Sequence, residues 1–238
     1  MTSQLDLGGI TVDVVFKDIK HVHLSVYPPA GRVRIAAPAR MSLDTIRVFA
    51  ISKLAWIKRQ QQHLQAQERE TPREYLDRES HYLWGTRYLL KVIEHDLPSS
   101  VDLQHRRLLL RVKPGATDHQ KRATLSRWYR AQLNAVVPSL IATWAPLIGV
   151  TVERFYVQQM KTRWGTCNPH ARTIRINTEL AKKPKECLEY IVVHELAHLI
   201  APTHNARFAA LMDQYIPYWH HRRDQLNQLP VRHEEWRY

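Results

Sequence analysis

Only two cysteines, Cys167 and Cys187, occur in the 238 residues, too few for a disulfide framework and too isolated for a four-thiolate zinc site. Glycine is scarce at 7 residues, and no low-complexity tract interrupts the chain, which excludes collagen-like, mucin-like and linker compositions. No apolar run approaches the roughly 20 residues needed to cross a bilayer. The N-terminal Met1-Thr-Ser-Gln-Leu-Asp6 lacks the basic and then apolar stretches of an export signal. The expectation is a soluble, cytoplasmic protein with free thiols and no membrane partner. Acids are also in deficit: 22 Asp and Glu stand against 35 Lys and Arg, a formal charge of +13 that attracts polyanions. The cations are spread from Lys17 to Arg237 without a dense run, so nucleic acid, nucleotide and acidic peptide all stay open as partners.

What is present is ordinary globular material, 44% hydrophobic and 24% charged, enough for one large domain or two small ones. Residues 10–16, 21–26 and 32–36 alternate or cluster β-branched side chains between turn signals and predict a small antiparallel sheet. Ser42 caps a long amphipathic helix predicted to run to about Gln67, and the polar stretch 60–73 reads as its solvated end. Residues 82–93 and 101–112 predict further hairpins. From Thr117 to about Trp144 the spacing of Leu125, Trp128, Leu133, Val137 and Leu140 is helical, with Pro138 a possible kink. Short strands over 151–158 and 173–177 then flank a loop at 161–171, and no repeat of fixed period is present. The fold class is α+β: a β-rich region over 1–115 with one long helix, then a mainly helical region over 116–238 that carries the chemistry.

That chemistry is concentrated in His194-Glu-Leu-Ala-His198. Four residues apart on a helix, His194 and His198 project from one face, so both imidazoles reach one ion. Glu195, beside the first ligand, lies where a general base for metal-bound water belongs. The apolar neighbours Ile191, Val192, Val193, Leu196, Leu199 and Ile200 predict a buried helix that holds the ligands rigidly. Pro202 ends the helix, and His204 beyond the turn can fold back to the same ion. An HExxH string is not rare by chance in a chain with 14 histidines; the buried helix, the break and the third histidine give it weight. Three imidazoles leave a fourth position open, the pattern of a catalytic Zn²⁺ site more than a structural one. His21, His81 and His119 read instead as surface or core residues, and the His220-His221 pair, in a polar helix, as surface.

Met160-Lys-Thr-Arg-Trp-Gly-Thr-Cys167, Arg175-Ile-Asn177 and the histidine segment together resemble the YgjP-like family of zinc metallopeptidases, relatives of the SprT-like and WLM minimal zincins. The resemblance covers nearly the whole chain and is most specific from Lys161 to Phe208. It implies a zincin-like catalytic half with zinc on His194, His198 and His204 and Glu195 as the catalytic acid. Ala201 stands where a metzincin has glycine and no clear Met-turn follows, so the chain is not read as a metzincin.

Arg163 and Lys161 stand in the family's loop and could present cations to an anionic substrate or an oxyanion; alternatively Trp164 plugs a gap while Arg163 pairs with a carboxylate. Cys167 reads as a small packed residue, and Asn177 as a cap for the next turn with no chemistry. Three functions follow: a zinc-dependent hydrolase, foremost a metallopeptidase; a metal-dependent phosphoanhydride hydrolase acting on nucleoside triphosphates; or a nucleic-acid-associated module that carries a zincin site on a basic, aromatic-bearing N-terminal sheet.

Overall fold

The computed structural model describes residues 2–27, 31–66, 73–160 and 163–228. It is α+β and divides into two compact units, one within residues 1–70 and one within 71–232. The division falls well before the change from strands to helices at 115, where the sequence places its boundary. The reason is packing: strands between 80 and 112 share an apolar cluster with the following helix, through Leu108, Leu110 and Leu125.

The first unit holds a sheet of β1 (Thr2–Asp6), β2 (Thr11–Lys17), β3 (His23–Tyr27) and β4 (Arg32–Pro38) in the order β1-β2-β4-β3. Alternating residues Val12, Val14, Val33 and Ile35 are fully buried on one face, as a period of two requires. Ser42 caps the next helix as expected, accepting from the backbone N–H of Thr45. The helix is nevertheless two: α1 (Leu43–Ser52) closes at Lys53, whose N–H turns back to Ala50, and α2 (Leu54–Ala66) starts afresh. The rest of the polar stretch to residue 72 lies outside the described residues.

The second unit opens with β5 (Ser80–Leu83), β6 (Thr86–Glu94), β7 (Ser100–Gln104) and β8 (Arg107–Val112), ordered β5-β6-β8-β7. The two four-stranded sheets share one topology: outer pairs antiparallel and the central pair, β2 with β4 and β6 with β8, parallel. This recurrence has no counterpart as a sequence period. Between β5 and β6 a two-residue turn puts Trp84 and Gly85 at positive φ, the hairpin geometry that favours glycine. The N–H groups of Trp84 and Gly85 donate to the carbonyls of Ala181 (2.8 Å) and Lys182 (3.2 Å). A Cβ on Gly85 would also meet Pro184 Cγ at 3.0 Å. This sheet therefore docks where the metal-motif helix begins.

Helix α3 (Asp118–Ile148) opens with a capping box between Thr117 and Gln120, passes through Pro138 and Pro146, and closes on Gly149 at φ 77°. Against the sequence expectation of no such run, residues 131–148 carry no charge, and among the described residues α3 is long and apolar enough by length and composition to cross a membrane. Its Leu133, Val137, Ala145 and Ile148 belong to the protein core. A third sheet, β10-β11-β9, combines β9 (Arg154–Gln158) parallel to β11 (Thr173–Asn177) with β10 (Gly165–Asn168) antiparallel to β11. Strand β10 lies inside the stretch 161–171 read from sequence as loop. A 3-10 turn (Thr178–Lys182) leads to α4 (Lys185–Ala197), then α5 (Ala206–Tyr215) and α6 (Trp219–Gln228).

Candidate metal centre

Helix α4 is apolar on nearly every side. Cys187, Leu188, Tyr190, Ile191, Val192, Val193, Leu196 and Ala197 are buried, and the helix packs against α3, α5, α6, β10 and β11. A helix apolar all round is a core helix, so side chains projecting from it have few ways to move. His194 and His198 project from it on one face, with their Nε2 atoms 3.2 Å apart. After His198 the chain makes one more turn, in which Ala201 N–H still reaches the Ala197 carbonyl, and then bends at Pro202. Asn205 caps α5 by accepting from the Phe208 N–H, and the bend between brings His204 Nε2 to 3.1 Å from His194 Nε2. The three ligand atoms lie within 4.8 Å of one another.

The protonation of this group follows from its surroundings. His198 Nδ1 lies 3.0 Å from the Ala201 carbonyl, which only accepts, so Nδ1 carries the proton and Nε2 is left as a lone pair. Burial, with His198 and His204 adding to it, pushes His194 down to about 3, and burial pulls His198 down as well. Three imidazoles whose Nε2 atoms converge, with His194 and His198 held neutral, are a donor set that a borderline-soft divalent cation requires, and these residues fit such an ion. Phe208, 2% exposed, supports all three rings: it stacks on His198 at 4.7 Å and meets His194 and His204 edge-on at 4.9 and 4.7 Å.

Glu195, next to His194 on α4, borders the same cavity and is 4% exposed. Burial pushes its carboxyl up to about 8, against the pull of the Arg163 guanidinium. The carboxylate lies against the backbone of β10: a Cβ on Gly165 would stand 2.4 Å from Glu195 Oε1. The glycine of the Trp-Gly-Thr-Cys string is thus demanded by the close approach of strand and carboxylate. Cys167 follows on the same strand, half-buried, its thiol pushed up to about 11 by burial and by Glu195.

A cavity of about 540 Å³ opens over this group. β10 forms one wall through Gly165, Thr166 and Cys167; Tyr190 and Ile191 of α4 lie below, and Arg223, Leu226 and Asn227 of α6 close another side. Arg163 also lines it; among the described residues it forms no ion pair within bonding distance, and the carboxyl its charge acts on is that of Glu195. Trp164 packs on the core and faces the same cavity. Lys161 lies outside the described residues. Arg223 lies on a helix that the sequence reads as polar surface; it is exposed, bonded through Nε to Asp224, and only the fold sets it at the cavity's edge. His220 and His221 are exposed.

Asn177 does more than cap. Its Oδ1 accepts from the N–H of Glu179 (3.2 Å) and of Met160 (3.3 Å), while Nδ2 donates to the carbonyls of Met160 (3.0 Å) and Arg163 (2.7 Å). Sequence reasoning missed this clamp, which holds both ends of the segment before β10. Asn177→Ala leaves those buried groups without partners and is expected to lower unfolding free energy by about 2–3 kcal/mol. Urea denaturation with an unchanged m-value would measure it.

Three convergent imidazoles on and after one helix, with a buried carboxylate beside them in an open cavity, define the site of a metal-dependent hydrolase. The family model for the YgjP-like, metallopeptidase domain matches residues 20–229, and the chain belongs to that family. No curated protein sequence matches it. Among solved structures, the metallopeptidase zymogen abylysin of Pyrococcus abyssi is similar at 22% identity and TM-score 0.36, over 38% of this chain and 91% of that one. The zymogen jannalysin of Methanocaldococcus jannaschii is similar at 17% identity and TM-score 0.35, over 39% and 94%.

Proposed function

We propose that the protein is a zinc-dependent metallopeptidase in which His194, His198 and His204 hold the metal and Glu195 is the general base. The observation that carries the reading is the free edge of β10 beside Glu195. Among the described residues strand β10 pairs with β11 alone, and its Gly165, Thr166 and Cys167 border the cavity. An extended peptide is the substrate form that an unpaired strand edge receives, through backbone hydrogen bonds that hold a scissile bond in register. The chemistry that bound zinc would supply is polarisation of a carbonyl oxygen and acidification of water. Glu195 accepts a proton from the attacking water and delivers it to the leaving amine nitrogen, and a dication nearby favours its ionised form over the buried acid. The apolar shell of α4 keeps His194 and His198 neutral, and Phe208 holds all three rings in place.

A second reading, phosphoanhydride hydrolysis, is favoured by one feature. Arg163 and Arg223 both line the cavity, and Glu195 is the single carboxylate among the described lining residues. Guanidinium groups suit phosphate oxygens, so a triphosphate would find cations on two walls.

Incubation with a peptide library and a nucleotide panel, each with and without chelator, separates the two. Chelator-sensitive peptide cleavage supports the peptidase, and turnover confined to triphosphates replaces it with the second reading. Metal analysis should find about one zinc per chain, and His204→Ala should weaken zinc binding strongly because it removes one of three donors. Full affinity in that variant would place the third ligand elsewhere.

A further inference from the structure

The positive charge of the chain is distributed unevenly. Residues 103–152 carry eight Lys and Arg, among them Arg106, Arg107, Lys113, Arg122, Arg127 and Arg130, and a single acid, Asp118. Asp118 is engaged by Lys121, and Arg111 is engaged by Asp102 of the neighbouring strand. The other six cations are exposed, and among the described residues none forms an ion pair. They lie on elements that pack together. Arg106 and Arg107 stand at the β7–β8 turn, where His105 is at φ 52°; Lys113 follows β8, and α3 packs on both strands. Leu125 and Tyr129 turn the opposite side of α3 into the core, so His119, Arg122, Arg127 and Arg130 share its solvent side.

We propose that this face of the second unit binds the phosphate backbone of nucleic acid without reading its sequence. One or two guanidinium groups suffice for a small anion. A helix face bearing three arginines over about 12 Å, continued by cations of a packed hairpin, matches a polyanion that carries one charge per about 1.7 Å of duplex axis. Arginine outnumbers lysine five to one among the six, and guanidinium engages phosphate oxygens in pairs. An anionic lipid surface fits less well. The exposed side of α3 beyond Arg130 presents Asn134, Ala135, Pro138, Ser139, Ala142 and Thr143, small or polar, with Leu147 near its end as the one large apolar group, where a membrane-surface helix carries a continuous row of bulky apolar and aromatic groups. The surface belongs to the unit that holds the metal centre, so bound nucleic acid would carry the site with it. It also differs from the N-terminal sheet on which the sequence suggests a nucleic-acid module.

The test is fluorescence anisotropy of a labelled, random-sequence 20-base-pair DNA duplex with the full chain, titrated over a range of salt. The variant Arg122→Gln/Arg127→Gln/Arg130→Gln keeps exposed, helix-compatible side chains. It is expected to bind at least tenfold more weakly at low salt, with a salt slope shallower by roughly 2–3, at about 0.9 for each phosphate no longer neutralised. A charge-matched variant in the first unit, Lys17→Gln/Arg40→Gln/Arg47→Gln, is expected to keep the wild-type slope, and circular dichroism should show both variants folded. Equal binding by the α3 variant, or no duplex binding by the wild type at low salt, overturns the proposal. So does α3-dependent binding to phosphatidylserine vesicles without binding to duplex. None of these readouts depends on what the metal centre hydrolyses.

Discussion

Glu195→Gln is expected to retain the metal and lose about 10²- to 10⁴-fold in turnover, the usual contribution of a general acid-base group. The amide fills the same space against Gly165 but cannot take a proton from water. Metal content and kcat on the same preparation check this, and full activity with metal bound would remove Glu195 from its role. The variant has a second consequence in metal-free protein. The fold raises the Glu195 carboxyl from 4.5 to about 8, so it favours the protonated form. The stability this carries is complete below pH 4.5 and is lost as pH rises through 8, by roughly 3–5 kcal/mol. Glutamine does not titrate. Between pH 4.5 and 8 the metal-free Gln variant should therefore gain on the metal-free wild type in urea denaturation, and a constant difference would show that the carboxyl is not held in an apolar site.

Gly165→Ala is expected to be nearly as damaging although it removes no functional group. A methyl 2.4 Å from Glu195 Oε1 and 2.8 Å from its Cγ cannot be accommodated unless the strand or the carboxylate moves. Overpacking of this kind costs about 1–3 kcal/mol in stability, and an ångström of misplacement at a reacting group about 10²-fold in rate. The measurement pairs kcat with metal content. Loss of turnover with metal retained fits displacement of Glu195 alone, whereas unchanged kcat would mean that the strand yields without disturbing the carboxylate.

The histidine spacing was legible in the sequence because it is local. Once residues 185–197 are helical, four residues between His194 and His198 put both rings on one face, whatever surrounds them. Pro202 and His204 extend the reading by one turn, again within a few residues. Ser42 was readable as a cap for the same reason, since a capping side chain bonds to the backbone three residues on. The resemblance to YgjP-like metallopeptidases rests on the same short segments, and the family match agrees with it.

The elements that sequence reasoning missed are those whose state is decided by distant partners. Gly165-Thr-Cys-Asn168 has no alternation of its own and is a strand because β11 pairs with it, Cys167 opposite Ile174 and Gly165 opposite Ile176. The same holds for β1, a polar pentapeptide ordered by pairing with β2. The boundary expected at 115 followed a change of secondary structure, but compact units follow packing, and Leu125 ties the second sheet to α3. Sequence alone determined the α+β class, the three imidazoles and Glu195, because helix periodicity and chain breaks act over one or two turns. Tertiary structure alone decided that β10 would press its backbone on that carboxylate, that Asn177 would clamp the segment leading to it, and that Arg223 would face the cavity. Each of those depends on a pairing or packing across tens of residues, and no local pattern encodes it.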